Sequence, residues 1–373
     1  MPEMNRIQIV NDLPGLRALK DEWNKMAPPA SVEPWQSFSW MEAAARACDD
    51  KQRLHIVIVR QAGKLIAIAP LVLKKSIQPL RPLRLDFLGG EELKEPNRFV
   101  LLEPSSLDPL MDAVVSRCPY PIRLSRIPND AESLSCIVSK FKKAGWITRI
   151  LSMPYPCLDL GANPIKKSLK EDLRRARRKA EAHGKVRAEV VSARSEEELL
   201  AHLKRGFRIE ASGWKGRNGT AIICNQCRTI FFEQYACSAW REGILNLSFL
   251  YVDDVAVAVQ YAIESAKAYW LLNVGYDEEY RYCSPGNLLL GETIDAASRN
   301  GLVRYNLLGK EEPWTKRWTT TALDSSVLAA YRPNIHGVKA MISDALYLAQ
   351  KELSCLYHAA GHQVSIALKC TSG

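Results

Sequence analysis

Between Trp270 and Ala297 the chain reads WLLNVGYDEEYRYCSPGNLLLGETIDAA, and the types and spacing in its middle can do chemistry. Arg281 is followed at intervals by Ser284, Pro285, Gly286 and Asn287. Pro285 presets a tight turn, and Gly286 lets the backbone come close to a ligand. An apolar-periodic segment follows at once, so the turn opens a helix. Backbone N–H groups at such a helix start carry partial positive charge and can hold a phosphate or carboxylate. The plain alternative is an ordinary helix start capped by Ser284. Three other stretches hold candidate binding groups. In IKKSLKEDLRRARRKAEAHGKVR, Arg174, Arg175, Arg177 and Arg178 stand in five positions around a narrow stripe of Leu169, Leu173, Ala176 and Ala180. Guanidinium forks suit phosphate; a solvated charged helix is the bland reading. Trp214 and Lys215 sit between glycines in EASGWKGRNGTAI, an adaptable loop by composition. Lys310, Glu311, Lys316 and Trp318 lie in GKEEPWTKRW, after a strand end where open sheets place ligand-binding groups.

These residues need a frame, and the pattern supplies one twice. The first half reads as helix (LRALKDEWNKMA), helix (SFSWMEAAARACDD), and a hairpin turning at Gln61 to Lys64. A short strand (LRLDFLGG), a helix near 107–117, a strand (PIRLSRIP) and a helix closing at Gly145 follow. The second half opens with the basic helix. Ser168 to Glu171 fits a capping box and Gly184 a left-handed stop. Then come a strand (VRAEVVSA), a helix running into the Trp214 loop, and a hairpin turning at Asp253-Asp254. A strand (AYWLLNVGY), the helix from Gly286 to Arg299 and a strand (VRYNLLG) complete it. HIVIVRQAGKLIAIAPLVL parallels NLSFLYVDDVAVAVQYAIE as a hairpin, and LDFLGG looks like YNLLGK at a different point in the order. The reading is a duplicated α/β architecture with mixed sheets, units 1–153 and 154–373, joined at Pro154-Tyr-Pro156.

Composition narrows the class. At 373 residues, 47% hydrophobic and 25% charged, the chain fits a soluble globular protein of two domains. No apolar run approaches the ~20 residues of a membrane span, and no secretory leader pattern is read at the N-terminus. Ten scattered cysteines read as reduced thiols of a cytoplasmic protein. Cys224 and Cys227 lack a second ligand pair, so no metal is expected. The net charge of +10 falls mostly on 165–187, where ten Lys/Arg meet three Asp/Glu. Basicity confined to one element argues against a general nucleic-acid binder.

Arg281-x-x-Ser284-x-Gly286 resembles the acyl-CoA pyrophosphate loop of the GNAT acyltransferases, with serine replacing a glycine. Four motifs in order widen the likeness: SLKEDLRRARRKAEAHGKV, EASGWKGRNGTAI, GYDEEYRYCSPGNLLLGETIDAASRNGL and YNLLGKEEPWTKRW. Over roughly 154–331 they resemble the CelD acetyltransferase branch of that superfamily, associated with cellulose biosynthesis. The basic helix is also similar to one in Fem-type transferases, themselves tandem GNAT folds. The resemblance implies tandem GNAT-like domains, the first degenerate, and an acyl-CoA co-substrate. It implies N- or O-acyl transfer to an undefined small-molecule, sugar or nucleotide-linked acceptor, with a link to polysaccharide or envelope synthesis. On that reading Arg281, Ser284, Pro285, Gly286 and Asn287 hold the donor. Arg174, Arg175, Arg178, Trp214, Lys215 and Lys316 hold the acceptor or the CoA 3′-phosphate. Such transfer needs a base, an oxyanion donor and a departing thiolate. Asp277 or Glu311, beside strand ends, is the expected base, and Tyr276, Tyr280 or Tyr282 the acid for the thiolate. Cys283, near a helix start that lowers thiol pKa, offers a covalent route with no histidine nearby in sequence. Two alternatives stand beside this: an aminoacyl-tRNA-dependent Fem-like transferase, and a non-catalytic subunit of an envelope or polysaccharide assembly.

Overall fold

Both expected hairpins form, and each is the centre of its own sheet. The computed structural model describes residues 5–48, 52–76, 78–129, 131–161 and 165–351. Its first-half strands are β1 (Arg6–Val10), β2 (Arg53–Gln61), β3 (Lys64–Lys75), β4 (Leu83–Phe87), β5 (Val100–Leu101), β6 (Ile122–Pro128) and β7 (Ile147–Ser152). The later strands are β8 (Tyr155–Asp159), β9 (Val186–Val190), β10 (Leu245–Val252), β11 (Val255–Ser265), β12 (Ala268–Tyr276), β13 (Arg304–Asn306), β14 (Ala322–Leu323) and β15 (Ser325–Tyr331). One sheet runs β1-β2-β3-β4-β6-β15-β7 with β5 beside β3; the other runs β14-β8-β13-β12-β11-β10-β9. Each sheet has three successive antiparallel pairings and then one parallel step. In the first sheet that step joins Leu85 to Ile122, and in the second Ala268 to Arg304. The fold is mixed α/β with two mixed sheets of matching order. LDFLGG ends β4, whose counterpart is β12; its likeness to YNLLGK at β13 is therefore one of sequence and not of position.

Sheet membership changes at 152–155 and again at 323–325. β7 pairs with β15 and β8 with β14, so one antiparallel ribbon passes from the first sheet into the second. Tyr155–Asp159, expected as a join, is thus a strand, and Ser325–Tyr331 lies between β6 and β7 in the first sheet. Residues 335–351 are helical and dock on that sheet. The buried Arg84 guanidinium meets Asp344 at 2.9 Å, and Tyr331 Oη donates to the same carboxylate at 2.6 Å. The expected tail beyond 351 lies outside the described residues. Among the described residues no helix is long and apolar enough to cross a membrane.

The core is continuous across the halves. Trp35 meets Trp270 of β12 edge-on at 4.9 Å, and Trp40 meets Phe231 and Tyr235 at 4.8 and 5.0 Å. The last two belong to the helix Gln226–Arg241, which the sequence reading passes over. It buries Phe231, Phe232, Tyr235, Ala236, Cys237 and Ala239, and apolar residues on several faces blur the 3.6-residue period. A polar seam joins the same halves: the buried Arg126 donates to the carbonyls of Lys94 and Gly309.

The basic helix departs from expectation at its start. It spans Lys167–Glu181 with Lys166 at the N-cap and no side-chain cap bond, so the Ser168–Glu171 capping box does not form. Ile165 and Leu169 enter the same small core, which fixes the chain upstream and places Ser168 inside the first turn. Gly184 lies beyond the helix cap at Ala182, where a Cβ would run into the Asp253 carboxylate. That carboxylate accepts from Lys185 N at 2.7 Å.

Candidate active site

The parallel step in the second sheet is short. β13 pairs with β12 only over Ala268 to Trp270, so β12 continues to Tyr276 with that edge open. Against β11, Ala262 faces Leu271 and Tyr261 faces Asn273, which leaves Leu272 as an extra residue. A bulge of this kind bends a strand and re-aims its side chains. A cleft of about 470 Å³ occupies the opening, a volume typical of small-molecule sites.

One end of the cleft is formed by the turn and helix that follow β12. After β12 the chain makes a turn over Glu278–Cys283, and Ser284 takes a left-handed conformation at φ 49°, ψ 55° before the helix Pro285–Arg299. Ser284 O accepts from Asn287 N at 3.0 Å and Leu288 N at 3.1 Å, closing the first turn. No acidic residue stands in that turn. Ser284, Gly286, Asn287 and Arg281 line the cleft, and Arg281 forms no ion pair among the described residues. Trp318 Nε1 donates to Asn287 Oδ1 at 3.2 Å and holds that side chain.

The other end carries a buried ion pair. Glu210, 3% exposed, comes from the helix Glu196–Ser212 and its Oε2 accepts from Ile222 N at 2.9 Å. Lys215 Nζ donates to Asn273 Oδ1 at 2.8 Å and to Val274 O at 2.7 Å. The same ammonium forms an ion pair with Glu210 Oε1 at 3.2 Å. Burial pulls the Lys215 pKa down, while Glu210 opposes the shift. The short helix Trp214–Arg217 is pinned over the site. Glu278 accepts from Trp214 N at 2.9 Å and from Arg217 at 2.8 and 3.0 Å. Arg217's hydrogen bonds hold the Glu278 carboxyl below its ordinary range. Gly275 permits the close approach of helix and strand, because a Cβ there would sit 2.5 Å from Glu210 Cα. Gly275→Ala is therefore expected to cost about 2 kcal/mol by overpacking and to displace Glu210 and Lys215. Urea titration beside a donor-binding assay checks this; a variant as stable as the parent refutes it.

The structure brings together Tyr276, Arg281, Ser284, Gly286, Asn287, Trp214 and Lys215 on the cleft lining. Pro285 is buried at the first helical position behind it. Asp277 lies off the lining and caps the turn, accepting from Glu279 N at 3.1 Å. Glu311 is exposed and pairs with Lys316 at 3.3 Å, both away from the lining. Arg174, Arg175 and Arg178 sit on the solvent side of the basic helix, with Arg175 paired to Asp172. Tyr280 and Tyr282 also stand outside the lining. Cys283 is corrected: its thiol is buried, donates to Tyr280 O at 3.2 Å, and burial raises its pKa instead of the helix start lowering it. Sequence reading misses Glu210, Glu278, Glu312 and Trp314, which complete the lining. Glu210 has a legible signal, since it continues the apolar series Leu199, Leu203, Gly206 as the one acid on a buried helix face.

Residues 167–316 match the acetyltransferase (GNAT) domain family. No curated protein matches the chain. Three solved structures are similar at low identity. The C-terminal domain of a putative lysylphosphatidylglycerol synthetase from Agrobacterium fabrum has 12% identity and TM-score 0.53, covering 89% of this chain and 97% of that one. L-PGS from Bacillus licheniformis has 11% identity and TM-score 0.54, covering 90% and 97%. FemX has 10% identity and TM-score 0.54, covering 87% and 96%. Likeness at such identity speaks for the fold alone: a mixed α/β chain of two mixed sheets, within which residues 167–316 match the GNAT acetyltransferase domain.

Proposed function

We propose that the protein transfers an acyl group from an acyl-CoA to an acceptor in the second-sheet cleft. One observation carries the reading: the open edge of β12 leads directly to the turn and helix of Arg281, Ser284 and Gly286. The donor diphosphate rests against the helix start at Gly286, with Arg281 at its side. The thioester then lies along the open strand edge, where a backbone N–H can meet the developing oxyanion. Tyr276, on the lining, protonates the departing thiolate and regains a proton from solvent. The first sheet differs at the corresponding step. The corresponding helix there, Leu107–Arg117, carries Asp108 in its first turn, which repels an anion. The cellulose and polysaccharide association rests on the sequence resemblance and adds nothing to the mechanism. Acetyl-CoA and longer acyl-CoAs are expected to raise the melting temperature, by a stabilisation of about 2.7 kcal/mol at a hundred times Kd. A flat response to every acyl-CoA would sink the reading.

A second reading, aminoacyl-tRNA as donor, is favoured by the basic helix. Arg174, Arg178 and Lys179 form no ion pair among the described residues. If RNA binds there, the double change Arg174→Ala with Arg178→Ala lowers the slope of log affinity against log salt by about 1.5 to 2. Stability changes by less than about 0.5 kcal/mol, as for other exposed positions. Filter binding of tRNA across a salt series measures both slope and affinity; absence of binding removes this reading.

A further inference from the structure

We infer that the protein docks on an anionic lipid surface through the outer face of the helix at 335–351. The inference stands apart from the acyl-CoA reading. Eight of the sixteen large apolar side chains exposed among the described residues lie on this helix and on the edge strand β7. Along the helix, Ile335, Val338, Ile342 and Leu346 recur at steps of three and four residues and so share one face. Ile335 is 80% exposed, and the other three are close to half exposed. The opposite face is the one that docks. There Ala340 joins Ala329 and Tyr331 in a small core, and Asp344 holds Arg84. In β7, Ile147, Arg149 and Leu151 stand opposite Tyr331, Ala329 and Val327 of β15. Directly opposed residues of an antiparallel pair point to the same face, so these three leave the sheet on the helix side. Ile147 and Leu151 are both more than half exposed.

Apolar side chains gathered on one surface mark an interaction site, and charge selects the partner. Residues 142–153 and 332–351 carry six Lys/Arg: Lys142, Lys143, Arg149, Arg332, Lys339 and Lys351. The single acid of these two segments, Asp344, is buried against Arg84 and Tyr331. Apolar side chains bordered by cations suit the headgroup and upper acyl region of an anionic bilayer. A helix lies flat there, and its lysines reach up to the headgroups. A second copy of the chain would instead bring two cationic borders together as like charges. The stripe also faces away from the sheet, and fluid lipid can close around a protruding side chain such as Ile335 without a preformed hollow.

The test is co-sedimentation of the full-length protein with unilamellar vesicles, of phosphatidylcholine alone or mixed equally with phosphatidylserine. The parent should bind the mixed vesicles at least about tenfold more tightly than the neutral ones, and salt should release it. Lys339→Glu should weaken binding about tenfold, and Val338→Glu with Ile342→Glu at least about a hundredfold. Ile335→Ser should weaken it about tenfold with no change of charge, which separates insertion from charge attraction. All three proteins should keep the parent's melting temperature. Equal affinity for neutral vesicles, or variants that bind like the parent, overturns the inference. So does loss of binding in Arg174→Ala with Arg178→Ala alone, which would place the lipid on the basic helix. A parent dimer that Val338→Glu with Ile342→Glu dissociates, with no vesicle bound, gives the face to a second copy. Binding of poly-L-glutamate without binding of vesicles gives it to an acidic protein. Either result overturns the inference.

Discussion

Gly286→Glu abolishes the acetyl-CoA-dependent rise in melting temperature and weakens acetyl-CoA binding about a thousandfold, which is about 4 kcal/mol at ~1.4 kcal/mol per decade. The position lines the cleft in the first turn of the helix Pro285–Arg299. A carboxylate placed there meets the donor diphosphate as a like charge, which costs several kcal/mol. The same carboxylate suits a helix N-terminus in the free protein, so unliganded stability stays within about 1 kcal/mol of the parent. The pairing of lost binding with intact folding separates this outcome from simple damage. Gly286→Ala is the control. Its methyl would stand 3.3 Å from Tyr276 Cδ1, a small adjustment, and binding should fall less than about tenfold, or about 1.4 kcal/mol. Calorimetry on both variants decides the matter, and a glutamate variant binding like the parent removes the diphosphate from this helix start.

The second large effect lies between the halves, at Glu95. This buried carboxyl has its Oε2 without a hydrogen bond, and burial raises its pKa to about 7 against the partial offset of Arg126 and Arg228. The unfolded chain releases this proton near the ordinary value of 4.5, so above that pH the native state holds more protons than the unfolded one. Stability therefore falls as pH rises from about 4.5 to about 7 and is level above it. The full penalty is about 3 kcal/mol at ~1.36 kcal/mol per pH unit. Glu95→Gln removes the charge that the site resists, so it should gain about 3 kcal/mol at pH 8 and show no such slope. Denaturant midpoints at pH 5 and pH 8 give both numbers. A glutamine variant less stable than the parent at pH 8 would mean that attraction to Arg126 and Arg228 outweighs burial.

Local order was readable wherever one face of an element meets the core. The hairpin turns at Gly63 and Asp253, the helix stop at Gly145 and the turn before Pro285 follow from period and from turn chemistry. The end of the cleft lined by Arg281 to Asn287 was readable for the same reason, being a contiguous run. Its acidic end was not, because Glu210 reaches it from a helix some 60 residues earlier through the contact at Gly275. Charge also misled. Asp277 and Glu311 stand beside strand ends in sequence, but a cap bond and a surface ion pair occupy them. The exchange of strands between sheets had no local signature, since β8 and β15 look like any short apolar strand and their partners lie far away in sequence.

That exchange sets a timetable for synthesis. β6 meets β15 only when Tyr331 has left the ribosome, roughly 180 residues and about 10–35 s after β7 at ordinary elongation rates. Until then the nascent first half carries an open strand edge and an unpaired β7, the kind of surface that recruits other chains. The second half is no more self-sufficient, because β8 and β14, which extend its sheet beyond β13, flank the stretch 167–316 on either side in sequence. A fragment cut to that stretch omits both strands, and one stopped before residue 322 leaves both sheets unfinished.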